Sequence, residues 1–195
     1  GREVGSALGG AATAATAGLV GLVLGTGELT NDLARLRTNA SIAGGGLEEA
    51  EDAFARLYAI SGEADSSVEA VSQLLAAGFQ GEQLTSALDN IAGAAIKFSD
   101  TLNIEGISDG LQETLALGEA TGQFAELLDR SKVDVDAFND SLGGLSTEAE
   151  RNAFALQTLN DIGLTETLER FGILNEEVTA SREAQANFQL ALSAL

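Results

Sequence analysis

The chain has 195 residues, 45% of them hydrophobic, and carries 30 Asp and Glu against 10 Lys and Arg, a formal net charge of −20. With no His and no Cys it lacks an imidazole base, a thiol nucleophile, any disulfide and any thiolate or imidazole metal site. Binding a phosphate backbone depends on Lys and Arg displacing counterions, so direct nucleic-acid binding is not expected of so acidic a chain.

Val4 to Gly27 carries no charge. As a helix of about 24 residues it would be roughly 36 Å long, enough to cross a bilayer. Its first half is mostly Gly, Ala and Thr, and strong hydrophobes gather only from Leu19 to Leu24. Gly10, Ala14 and Gly18 fall four apart, as do Gly21 and Gly25. With Leu22 they mark a candidate surface for close helix packing or membrane entry. A second helix is expected over Glu28–Ala43, capped by Thr26, with Leu29, Leu33, Leu36 and Ala40 on one face and Arg35 and Arg37 turned elsewhere. The run Gly44, Gly45, Gly46 is the best candidate boundary, since glycine does all the punctuation in a chain without proline.

Leu47–Ile60 places Ala50, Phe54, Leu57 and Tyr58 on one stripe. Glu48, Glu49, Glu51 and Asp52 beside it read as a solvated, helix-start face, not a cation loop. Ser66 and Glu69 have capping-box spacing and open a helix with Val68, Val71, Leu74 and Leu75 on its apolar face. Gly78 suits its C-terminal cap, and after Gly81 the pattern restarts with Leu84, Leu88, Ile91, Ala92 and Ala95. The result is a helical hairpin that still has apolar surface for a third helix.

Ile104–Leu117 and Gly122–Leu128 read as two helices broken at Gly118 to Gly122, and Asp134 as the cap of a short helix through Phe138 and Leu142. Asp129, Asp134, Asp136 and Asp140 lack the central glycine and terminal glutamate of a calcium loop and are read as caps and surface groups. Thr147 with Glu150 forms another capping box, opening a helix through Phe154, Leu156, Leu159 and Ile162 to Gly163, and a short helix Thr165–Phe171 follows. At the end, Leu174, Val178, Ser181, Gln185, Phe188, Leu192 and Leu195 step by four and three alternately. That is the spacing of a coiled-coil seam, or of an ordinary amphipathic bundle helix over so few heptads.

The expected fold is therefore all-α: short glycine-punctuated helices in a bundle or array, divided as 1–44, 47–171 and 172–195. No nucleophile and base pair, P-loop or dinucleotide fingerprint is visible, so neither catalysis nor a cofactor is expected.

The stretch AVSQLLAAGFQGEQLTSALDNIAGAA, Ala70 to Ala95, resembles the helical domain of phage tail tape measure proteins. In that family an "LAxAGF" helix end is followed by an acidic turn, a leucine helix and a small-residue "IAxAA" run. LEEAEDAFARLYAISGE before it and ETLALGEATGQFAELLDRSKVDVDAFNDSL after it extend the likeness over roughly Leu47 to Leu195. The chain departs from the pattern at Lys132, where the family would have glycine before "VDVDAF". The resemblance implies a structural protein of the virion tail, assembled in the host cytoplasm, around which tube subunits polymerise and which leaves the tube ahead of the DNA. It implies tail tube proteins, tail tip proteins and tail assembly chaperones as partners, self-association with three copies favoured over six, and contact with the host membrane during ejection. Two other functions stay open: a membrane-inserting channel or pore component using residues 4–27, and a generic bacterial helical scaffold.

Overall fold

The computed structural model describes residues 26–193, and among these the backbone forms helices joined by turns. In chain order the helices are α1 Thr26–Ala43, α2 Leu47–Ser61, α3 Ala64–Ala76, α4 Glu82–Lys97, α5 Ile104–Leu117, α6 Gly122–Arg130, α7 Val135–Gly143, α8 Glu148–Ile162, α9 Thr165–Leu174 and α10 Glu176–Ser193. Helices α1, α2 and α3 run up, down and up, with α1 beside α3: Asn39 Nδ2 donates to Ser72 Oγ at 2.9 Å and Arg35 pairs with Asp65 at 2.9 Å. Helix α5 packs on α3, α6 on α5 and α9 on α4, while α10 returns to lie on α2 and α1.

In α1 to α4 the apolar faces read from periodicity are the buried ones, with Tyr58 and Ala95 half-buried at their edges. Leu29, Leu33, Leu36 and Ala40, then Ala50, Phe54 and Leu57, then Val68, Val71, Leu74 and Leu75, and Leu84, Leu88, Ile91 and Ala92 belong to one hydrophobic core. That core is continuous from Leu29 to Ala186, so it spans both Gly44–Gly46 and the start of the last segment. Helices α6, α7 and α8 gather around a run of rings: Phe124 and Phe138 lie 5.9 Å apart, Phe138 and Phe154 5.2 Å.

Glycine takes the turn at the end of α3. Gly78, at φ +85°, lets its own N–H donate to Leu75 O and that of Phe79 to Leu74 O, with Leu74 and Phe79 both buried. This is the paired-bond, left-handed stop of a helix. The end of α6 has the same bonds, Lys132 N–H to Asp129 O and Val133 N–H to Leu128 O, but the left-handed residue is Lys132 at φ 61°. Lysine thus makes the turn that glycine makes at the end of α3, at a steric cost its Cβ imposes.

The two sequence-level capping boxes part ways. Thr147 and Glu150 form theirs: Glu150 N–H donates to Thr147 Oγ1 and Thr147 N–H to the Glu150 carboxylate. Ser66 and Glu69 do not, because α3 begins earlier, at Ala64. Only Gly62 and Glu63 separate α2 from α3, so Ser66 and Ser67 already lie inside the helix. Their hydroxyls donate back to the Glu63 carboxylate and the Glu63 carbonyl.

Candidate functional site

The buried polar side chains tie helices together. Ser108 donates to Ile104 O within its own helix, and Thr114 Oγ1 donates to Gly110 O while accepting from Thr121 N–H, which fixes the α5–α6 turn. Asn152 Nδ2 reaches from α8 to Ala77 O at the end of α3, and Asn90 Nδ2 donates to Asn160 Oδ1 between α4 and α8. Among the described residues no group of three or more acidic side chains is placed to hold a metal ion, and no helix is long and apolar enough to cross a membrane.

Three arginines act as caps in trans. Arg37 donates to Ser193 O at the end of α10, Arg151 to Leu115 O near the end of α5, and Arg182 to Ile60 O near the end of α2. Each places a cation at a helix C-terminus, where free carbonyls and the negative end of the dipole are found. The Arg182 guanidinium lies so close over Gly62 that a Cβ there would sit 2.7 Å from its Cζ. The sequence holds only 10 bases. Nothing local in the sequence marks the capping use of these three, since each bonds a carbonyl far away in the chain.

A cleft of about 910 Å³ opens between α2, α4, α9 and α10. Its floor holds Ala53, Ala59 and Leu168, and its rim Glu48, Asp52, Glu169 and Glu183. Within it Arg56 pairs with Asp89 through two hydrogen bonds, 2.7 and 2.8 Å. The bond to Asp89 raises the guanidinium pKa above its ordinary value, against the lowering effect of burial. Gly81 N–H donates to the Glu49 carboxylate across the same cleft. On another face Glu69 is pushed above the usual carboxylate range, first by burial and then by Glu105 and Asp65.

The predicted site residues fall into two groups. Gly10, Ala14, Gly18, Leu22 and Gly25 lie outside the described residues, as does Leu195 at the far end of the seam. The rest of the seam is displaced. Leu174 is the last residue of α9, and Asn175, whose N–H donates back to Phe171 O and Gly172 O, separates it from α10. The seam is therefore broken after its first residue, and α10 is docked by Arg182, Ala186 and Gln189, about a quarter turn away from Val178, Ser181 and Phe188. Leu174 is 76% exposed, Val178 48%, Phe188 51% and Leu192 45%; Ser181 is exposed and Gln185 half-buried.

Compared with known proteins, the chain matches no family model, and no curated protein or solved structure gives a significant match. The stretch that carries the tape-measure likeness forms the end of α3, the Gly78 turn and α4. In it Gly93 lies hard against a neighbouring stretch of backbone: a Cβ there would run into Leu164 O.

Proposed function

We propose that this chain is a structural, non-catalytic part of a phage tail tape measure protein. The observation that carries the reading is the residue pattern of Ala70 to Ala95, whose small residues and glycines let other elements approach closely: Ala87, Ala92 and Ala94 are buried and Gly93 abuts the chain at Leu164. In that role the tail tube, tail tip and assembly chaperones are its partners, it self-associates, and it resides in the virion tail. A ruler needs extent, about 1.5 Å per residue of continuous helix. Ten short helices folded around one core among the described residues serve docking instead, and length belongs to other parts of the protein.

Deletion within residues 47–163 of the phage-borne protein tests this. Lost assembly or infectivity with tail length unchanged is the expected result. Tails shortened in proportion to the deletion, with full infectivity, would overturn it.

A further inference from the structure

The exposed apolar groups are not scattered evenly. Ile173, Leu174 and Val178, at 78%, 76% and 48% exposure, cluster at the corner where α9 gives way to α10. The residues preceding α1 enter the molecule at this same end. Helices α1 and α10 run parallel, since Leu29 and Asp32 share a cleft with Gln185 and Arg37 donates to Ser193 O further along. Carried back in the same register, Thr26, the first described residue, is level with Arg182, one turn along α10 from Val178.

We propose that the apolar run Leu19–Leu24 covers the corner formed by Ile173, Leu174 and Val178, as an internal cap on the helical body. Three observations select this occupant. The run is the strongly hydrophobic part of the uncharged stretch Val4–Gly27 and is joined to α1 directly. It brings no charge to a corner flanked by the exposed Glu176 and Glu177. A second copy paired in parallel along α10 would set its own Glu177 there, while Arg182, the base at matching spacing, is turned inward onto Ile60 O. Moreover the break at Asn175 leaves about two heptads of described seam, fewer than a coiled coil ordinarily needs. The inference does not depend on the tail reading.

The chain contains no cysteine, so thiol chemistry tests it cleanly. In the full chain, Leu22→Cys with Val178→Cys should be joined within one molecule by a short bis-maleimide. The control pairs Leu22→Cys with Leu117→Cys, an exposed site at the opposite end, where Leu115 and Ala76 share a cleft and Ala76 shares another with Ala43. Docking should make the first link about tenfold faster than the control, because it raises the effective concentration of the two thiols. Equal rates overturn the proposal, and links formed only between molecules overturn it in favour of a second copy. Independently, Leu22→Asp should raise maleimide labelling of Val178→Cys several-fold without changing that of Phe188→Cys; unchanged labelling at Val178→Cys also overturns it.

Discussion

Helices α4 and α10 carry the same kind of sequence signal and meet opposite fates. In α4 the apolar row Leu84, Leu88 and Ile91 is the buried row. In α10 the row Val178, Phe188 and Leu192 faces outward, and the helix docks through Ala186, Gln189 and the Arg182 guanidinium. Periodicity therefore reports that a face is apolar, not what covers it. Helix α4 is contacted by α2, α3, α5, α8 and α9, so its apolar row has partners on hand. In α10 the alignment is decided by a cation reaching a helix end and by an alanine small enough to lie close to the body.

The largest effect should come from breaking that difference on the α4 side. Ile91→Ala, at a fully buried site, is expected to cost about 2–5 kcal/mol, whereas Phe188→Ala should stay within about 0.5 kcal/mol, both read by urea denaturation. Comparable losses would mean that the outer face of α10 is covered in solution. Gly93→Ala comes next: its methyl would press on Leu164 O, a backbone atom that cannot move aside, and should cost about 1–3 kcal/mol in the same assay. Arg182→Ala tests the α10 side, since losing a charged donor to Ile60 O should destabilise by about 1.5 kcal/mol and speed hydrogen exchange in α10 first.

A gain is expected at Lys132. Relieving its positive φ with Lys132→Gly should stabilise by about 1 kcal/mol, whereas Gly78→Lys, which imposes the same strain on the equivalent turn, should destabilise. The smallest effects concern pH. The Glu150 carboxyl, held below its ordinary pKa by the Thr147 hydroxyl and backbone, contributes stability above the unfolded-state pKa that is lost as pH falls through the folded one. Glu69 has the opposite sign: its raised pKa means that stability increases as pH falls through that value. Glu69→Gln should remove this rise just above the ordinary glutamate range, and Glu150→Gln should flatten the loss below it; denaturation midpoints across that span check both.

Much of the molecule was legible where the signal is local. The limits of α5, the Asp134 cap, whose Oδ1 accepts from Ala137 N–H, and the Thr147–Glu150 box all depend on residues three or four apart. Asn103, which caps α5 by accepting from Gly106 N–H, is equally local and was missed because no glutamate follows it at box spacing. The Ser66–Glu69 box misled for a non-local reason: the tight link after α2 leaves α3 nowhere to begin but Ala64. The trans-capping arginines and the acidic cleft were invisible, since each joins residues far apart in the chain.

By itself, the sequence determined an all-helical protein, the apolar faces of α1 to α4 and most helix ends, because hydrophobic period, caps and glycine stops act within a few residues. Only the tertiary structure decided which faces meet. Close backbone approach at Gly93 and the arginines seated on distant helix ends arise from packing between segments that no local pattern connects.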